Sequence, residues 1–165
     1  MRIGATLLLS VAMLLALGCI PINLPPPPLG IDRLDAPPQN SSQVDEATAK
    51  LFAPVKGKAV VYVYRPMKFT TRRMNNSIVI NDKFIAFLEN GSFLRMVIPG
   101  GKCAIRVGGA NYTFKEHEID VEAGQVYFFA SPVNRDLAPV VFPVKPNEAK
   151  SEILKFKLID NPYNF

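Results

Sequence analysis

The strongest structural signal in the sequence is the run AVVYVYR at residues 59–65. Valine and tyrosine dominate it, and β-branched and aromatic side chains pack well on the pleated surface of a sheet. Gly57 precedes the run and Pro66 follows it, and both residue types commonly bound strands. The run therefore predicts a β-strand and places the chain among β-rich proteins.

Downstream of this run, short apolar segments alternate with residues typical of turns. NDK at 81–83 separates two of them at hairpin spacing, and NG at 90–91 and PGG at 99–101 provide further turns. The prolines of 139–144 suit an edge strand, because proline cannot donate a ladder hydrogen bond. The predicted strands are 78–80, 84–88, 93–98, 102–107, 112–121, 125–131 and the edge strand 139–144.

A short helix is predicted on each side of the strands. Residues 43–52 carry a weak capping signal and apolar residues at helical spacing. We expect Asn147 to cap a final helix whose apolar face is Ile153, Leu154 and Leu158. The predicted fold class is therefore mainly β, a small antiparallel β-sandwich with a short helix before it and a short C-terminal helix.

The N-terminus resembles a bacterial lipoprotein signal. Arg2 provides a positive charge, residues 3–17 form an uncharged apolar run, and the run ends in LALGC at 15–19. This pentapeptide is similar to a lipobox, although a leucine and a small residue stand in the reverse of the favoured order. The resemblance implies cleavage after Gly18 and a lipid on Cys19. The alternatives are an ordinary secretory signal cleaved elsewhere and a short uncleaved anchor.

A proline-rich segment follows this cysteine. Seven of the fifteen prolines fall between Pro21 and Pro38, and such a composition favours an extended chain rather than a packed core. We therefore divide the chain into a signal peptide (1–18), a lipidated tether (19–43) and a β-sandwich domain (44–160). The alternative function of the tether is a proline-motif ligand for a partner protein.

The residue after the predicted lipidation site bears on localisation. In Gram-negative lipoproteins an Asp at this position commonly retains the protein in the inner membrane, whereas this chain has Ile20. The resemblance therefore implies anchoring in the outer membrane. We expect the domain to face the periplasm, with exposure on the cell surface as the alternative.

The net charge of +5 is modest and spread along the chain. No long run of Lys and Arg interleaves with aromatic residues, so the composition gives no support to nucleic-acid binding. It fits a position near an anionic membrane surface. If Cys19 carries lipid, Cys103 has no partner in the chain, and we expect a fold without a disulfide.

The sequence contains no pattern typical of an enzyme, a cofactor site or a metal centre. His117 is the only histidine, and we expect it to be an exposed residue of a strand. Cys103 alternates with Ile105 and Val107, and this period predicts a buried and unreactive thiol. We therefore predict no enzymatic activity, no cofactor and no metal.

A cluster of cations follows the first predicted strand. It consists of Arg65, Lys68, Arg72 and Arg73. The cluster predicts a basic loop, which also holds Met67 and Phe69, that contacts lipid head groups, lipopolysaccharide phosphates or peptidoglycan carboxylates. The alternative is a solvated loop in which Arg65 pairs with a carboxylate inside the domain.

Several phrases of the sequence together resemble one family. They are the strand phrase at 57–66, NDK at 81–83, ENGSF at 89–93, PGG at 99–101 and EAGQVY at 122–127. Over about residues 45–132 they are similar to a family of bacterial lipoproteins known as domain of unknown function 2846. The turn pattern is also similar to PEGA-type β-modules. The resemblance implies an exported lipoprotein domain and transfers no catalytic residue.

These observations favour a non-enzymatic envelope lipoprotein whose tethered β-sandwich docks on an envelope protein complex. The alternative is a binding module that holds an anionic envelope polymer, peptidoglycan or lipopolysaccharide, through the basic loop. A hydrolase is the least supported hypothesis, because the carboxylates are scattered. We thus expect the membrane as a partner through the lipid on Cys19, an envelope protein as a second partner, and no nucleic acid.

Overall fold

The computed structural model of the protein describes residues 45–109 and 114–161, which form two packed β-sheets and two short helices. The predicted signal peptide, Cys19 and the tether lie outside the described residues. The elements, in chain order, are α1 (Glu46–Ala49), β1 (Ala59–Arg65), β2 (Asn76–Ile80), β3 (Lys83–Leu88), β4 (Ser92–Ile98), β5 (Gly101–Gly108), β6 (Phe114–Val121), β7 (Val126–Ala130), β8 (Phe142–Pro143), α2 (Pro146–Ile153) and β9 (Lys157–Leu158).

The strands form one five-stranded and one four-stranded sheet. The order is β8-β7-β1-β4-β9 in the five-stranded sheet and β3-β2-β5-β6 in the four-stranded sheet. β1 pairs antiparallel with β4 and parallel with β7, and β4 pairs parallel with β9. The predicted mainly-β sandwich, with a short helix before it and a short C-terminal helix, is therefore confirmed. Its five-stranded sheet is mixed rather than purely antiparallel.

The predicted turns NG and PGG, and also the segment between β6 and β7, carry the chain from one sheet to the other. The segments between β3 and β4, between β4 and β5, and between β6 and β7 each join strands of different sheets. The NDK turn, in contrast, closes a hairpin in which Ile80 pairs with Lys83. Asn81 and Asp82 have φ angles of 46° and 66°, as a type I′ hairpin turn requires. The predicted hairpin is confirmed.

β1 is buried on both of its faces. Its odd-numbered residues from 59 to 63 pack into the core between the two sheets. Its even-numbered residues from 60 to 64 pack into a second cluster, which includes residues of both helices. A strand covered on both faces has a continuous apolar sequence rather than an alternating one. The central position of β1 thus explains the run from which the fold was predicted.

The core between the sheets is built mainly from branched aliphatic side chains. Cys103 belongs to this core and is 1% exposed, which confirms the prediction that its thiol is buried. The other fully buried members with large side chains are Ile78, Ile80, Ile85, Leu88, Leu94, Met96, Ile105 and Phe129.

The outer face of the five-stranded sheet is covered by the two helices, and we call it the covered face. Tyr62 is buried there, its ring stacks on Phe128 at a centroid distance of 5.2 Å, and its hydroxyl donates a 2.6 Å hydrogen bond to the Ala49 carbonyl. α1 is capped by Asp45, whose carboxylate accepts a 2.8 Å bond from the Thr48 amide. These contacts join the short helix to the sheet.

The C-terminal helix differs from the prediction at both ends. α2 begins with Pro146 in its first turn and without a side-chain cap, so Asn147 is not the N-cap. Proline lacks the N–H that a cap would satisfy, and it is therefore well suited to that position. Ile153 is buried as predicted, but Leu154 is 56% exposed and Leu158 lies in β9. Within residues 45–109 and 114–161, no helix has the length and apolar character needed to cross a membrane.

Candidate functional site

The predicted basic loop is the segment 66–75, which connects β1 in one sheet to β2 in the other. Lys68, Arg72 and Arg73 are all exposed on this loop. None of these three side chains takes part in an ion pair with any residue that the structure describes. The structure therefore places three of the four predicted cations on the exposed loop, without an ion-pair partner among the described residues.

Arg65, the fourth predicted cation, is not on the loop surface. It is the last residue of β1 and is 1% exposed. Its guanidinium donates hydrogen bonds to three backbone carbonyls, those of Thr71, Met74 and Leu88. The bond to Thr71 is 2.6 Å long and the bond to Leu88 is 3.4 Å long. Two of these carbonyls belong to the basic loop, so Arg65 supports the loop from below instead of contacting a partner.

The charge of Arg65 is balanced by backbone dipoles. Burial lowers its pKa, because desolvation disfavours the charged form. The guanidinium nevertheless remains protonated at neutral pH, because arginine side chains are not deprotonated in proteins. No carboxylate among the described residues pairs with it, so the alternative in which Arg65 pairs with an internal carboxylate is wrong. Its positive charge adds to the potential of the exposed cations above it.

Further hydrogen bonds fix both ends of the basic loop. The amide of Lys68 donates to the side-chain carbonyl of Asn90 at 2.8 Å, and the Met74 amide donates to the Thr71 carbonyl at 3.0 Å. Gly91 adopts a φ of 71°, and a Cβ at this position would lie 2.9 Å from the terminal methyl of Met67. These contacts support the loop backbone in the unbound protein, and such support lowers the entropy cost of binding.

The basic loop also exposes two large apolar side chains. Met67 is 65% exposed and Phe69 is 78% exposed. The guanidinium of Arg72 lies 4.5 Å from the centroid of the Phe69 ring, within the range of a cation–π interaction. The loop therefore offers an amphipathic contact surface, with apolar and cationic groups side by side.

A buried polar pair lies where the basic loop enters β2. Asn76, the first residue of β2, donates from its side-chain amide to the carbonyl and the hydroxyl of Ser131, at 2.7 and 2.9 Å. The side-chain oxygen of Asn76 has no hydrogen-bond partner among the described residues. Isolated Asn and Ser residues are typical of turns, so neither this buried pair nor the bond from Lys68 to Asn90 could be predicted from the sequence.

The two other residues singled out in the sequence lie in the sandwich. His117 is half-buried rather than exposed as predicted, and its ring lies 5.5 Å from that of Phe129. Burial raises the pKa of the Cys103 thiol to about 11, so the thiol is protonated at neutral pH. Among the described residues, no group of three or more His, Cys, Asp or Glu side chains could hold a metal ion.

The outer face of the four-stranded sheet, which we call the open face, carries exposed aromatic residues. Phe87 is 57% exposed, and its ring lies 4.9 Å from that of Phe84. Phe114 lies across Gly108, where an added Cβ would be 2.8 Å from its ring. The open face therefore has an apolar strip, and the missing side chain of Gly108 leaves room for the Phe114 ring.

One arginine of the open face has carboxylate partners. Arg106 forms an ion pair with Asp82, and its Nε lies 3.7 Å from the carboxylate of Glu116. This arginine is thus neutralised within the domain, unlike the cations of the basic loop. Surface cations that already have partners add little to the attraction of another molecule.

These features define a class of protein, a two-sheet β-sandwich with a helix-covered face and a supported basic loop. The model of one family matches residues 55–142, and its description is protein of unknown function (DUF2846). The match covers more than half of the chain, and the protein belongs to this family. The predicted resemblance is therefore confirmed at the level of the family. No curated protein matches the chain.

The matched segment has a clear structural extent. It begins before β1, ends within β8, and contains the basic loop, Arg65, Asn90 and the open face. Both helices lie outside it. The covering of the five-stranded sheet is thus supplied by residues that flank the family domain on both sides.

Proposed function

We propose that the protein is a non-enzymatic, lipid-anchored module of the bacterial cell envelope that uses the basic loop as its contact surface. Cys19 would carry the lipid, residues 19–43 would serve as a tether, and the anchor would lie in the outer membrane with the domain in the periplasm. The proposal extends the sequence argument, since the signal, the tether and the sorting residue precede the described part of the chain.

The observation that carries this proposal is the contrast between the free cations of the loop and the paired Arg106. Lys68, Arg72 and Arg73 are exposed, have no carboxylate partner in the described chain, and stand on a loop that Arg65 and Asn90 hold in place. Uncompensated cations on a supported loop favour association with an anionic partner and increase its rate of encounter.

Two partners suit this surface. The first is an envelope protein complex with an acidic docking surface, and the second is an anionic polymer such as peptidoglycan or lipopolysaccharide. The exposed Met67 and Phe69 support the protein partner, because apolar anchors contribute strongly to protein interfaces. The three cations on one loop support the polymer, whose charges repeat along its length.

The proposed contact is tested by the triple variant Lys68→Glu, Arg72→Glu, Arg73→Glu. We expect capture of the envelope partner to fall about tenfold or more at low salt, and less at high salt, because charges are screened over about 10 Å at 0.1 M. Pull-down from solubilised envelopes and sedimentation with cell-wall sacculi measure the protein and the polymer separately.

The matched control is Lys56→Glu, Lys102→Glu, Lys115→Glu, which changes the net charge equally at exposed positions outside the loop. It should retain binding. Equal loss of binding in both triple variants would reduce the effect to net charge, and unchanged binding in the loop variant at every salt concentration would remove the loop as the contact.

The proposed anchor is tested by Cys19→Ser. We expect this variant to leave the membrane fraction, because a hydroxyl cannot accept the thioether-linked lipid, and intact-mass analysis of the parent protein should show an acylated N-terminal Cys19. Fractionation should place the parent in the outer membrane. A soluble mature form that starts at another residue would exclude the anchor.

A further inference from the structure

We infer that the basic loop docks on the surface of an anionic lipid bilayer, with Met67 and Phe69 in the interface and its three cations beside the lipid phosphates. The inference rests on the proposed function, since it names a partner for the same loop. Such docking orients the domain relative to the membrane. It would leave the open face and the sheet edges available to a protein.

The composition of the loop surface suits an anionic bilayer. Met67 and Phe69 are 65% and 78% exposed, and the cations Lys68, Arg72 and Arg73 flank them in sequence. At a bilayer surface, aromatic and aliphatic side chains enter the interfacial layer while Lys and Arg remain at the level of the phosphates. Both kinds of side chain are then satisfied by one partner.

An anionic polymer in water would bind the cations of the loop but not its apolar side chains. Peptidoglycan carboxylates would pair with the cations, but Phe69 would stay in water. A protein partner would need an apolar pocket and an acidic rim in register with the loop. A phosphate-rich bilayer supplies both environments without such a register, so the lipid surface is the favoured partner.

The contacts that hold the loop also favour docking on a bilayer. Arg65 and Asn90 hold its backbone, and the Arg72 guanidinium lies 4.5 Å from the Phe69 ring. Insertion of Phe69 would therefore keep the guanidinium within reach of a phosphate at the membrane surface. Because the loop is already ordered, docking does not require a folding step.

The first described residues lie close to the strand end from which the basic loop leaves. Glu46 accepts a 2.9 Å hydrogen bond from the Leu158 amide, and Leu158 pairs with Phe93 in β4. The preceding residue, Ser92, pairs with Arg65, directly before the basic loop. Because β4 lies between β9 and β1, Leu158 and Arg65 are two strand spacings apart, roughly 10 Å. The described chain thus begins at the end of the sandwich that carries the basic loop, so an anchor upstream of it and the loop can contact one bilayer.

The absence of tryptophan from the sequence makes a direct test available. In the full lipidated chain, Phe69→Trp places a single fluorophore on the loop and retains the ring beside Arg72. After reconstitution into phosphatidylcholine vesicles that contain phosphatidylglycerol, we expect blue-shifted emission and quenching by bromine-labelled acyl chains. Both signals should be lost in vesicles of phosphatidylcholine alone and in the presence of Arg72→Glu and Arg73→Glu.

The matched control is Phe87→Trp on the open face, a site of comparable exposure. Its emission should not respond to phosphatidylglycerol. Met67→Trp provides a second reporter if Phe69→Trp does not fold. Emission from both loop reporters that matches the Phe87→Trp control in every vesicle would overturn the inference.

The failure of this inference differs from the failure of the proposed function. If the loop reporters ignore phosphatidylglycerol but shift when sacculi or a captured envelope protein is added, the loop is a contact surface for that partner, and lipid docking is rejected. If the reporters respond to neither, both proposals fail together.

Discussion

The covered face and the open face show how the same residue type serves two purposes in one domain. On the covered face, Phe128 is 4% exposed and stacks on Tyr62 beneath the helices. On the open face, Phe87 is 57% exposed beside Phe84. The difference follows from the chain segments outside the family domain, which cover one sheet. We therefore expect aromatic residues to determine stability on the covered face and surface properties on the open face.

The largest expected effect comes from Phe128→Ala. Removal of a buried ring should lower the free energy of unfolding by about 3–5 kcal/mol, since it deletes apolar contact and leaves a cavity. Phe87→Ala on the open face should cost less than about 1 kcal/mol. Chemical denaturation of the two variants measures both values, and similar losses would break the distinction between the faces.

A smaller effect is expected from Tyr62→Phe, which keeps the stacked ring and removes the hydroxyl. Its 2.6 Å bond to the Ala49 carbonyl is buried, and a hydrogen bond of this kind contributes about 1 kcal/mol. Tyr127→Phe is the control, because the hydroxyl of Tyr127 accepts an exposed bond from the Glu122 amide and water can replace it. An equal loss of unfolding free energy in the two variants would mean that burial beneath the helices does not strengthen the hydrogen bond of Tyr62.

The smallest effect at neutral pH concerns Cys103, which lies between the sheets and so reports on neither outer face. Its folded pKa is raised to about 11, while an unfolded thiol titrates near about 8.5. Its contribution to stability is therefore complete below about pH 8.5 and is lost as the pH rises towards 11.

The difference between the parent protein and Cys103→Ala isolates this thiol. Burial also raises the pKa values of Tyr62 and Tyr64, but these tyrosines are common to both proteins. Denaturation at pH 7 and pH 10 should show a steeper loss in the parent. Rapid alkylation of the native thiol at pH 8 would contradict its protected position.

Much of the fold was accessible from the sequence because local chemistry determines it. The run at 59–65 coincides with β1, and the positive φ angles of Asn81 and Asp82 follow from the tolerance of those residues for such a conformation. The alternation around Cys103 identified the inner side of β5. Each of these signals depends on neighbouring residues alone.

The remainder depends on contacts between distant segments. The apolar spacing predicts Leu158 in a helix, whereas its pairing with Phe93 in the neighbouring strand has no local signature. A charged residue at the end of a strand is usually solvated, so the sequence predicts Arg65 among the exposed cations. Its burial requires the carbonyls of Thr71 and Leu88 to converge on it, and only the folded chain brings them together.

The parallel pairing of β1 with β7 also limits how this domain can fold. Residues 60–64 pair with residues 126–130, so the centre of the five-stranded sheet closes only after most of the domain has been synthesised. Such non-local pairing is associated with folding in milliseconds to seconds. Until β7 is present, one edge of an apolar, β-prone strand is unprotected, and this interval is when the chain is most susceptible to aggregation.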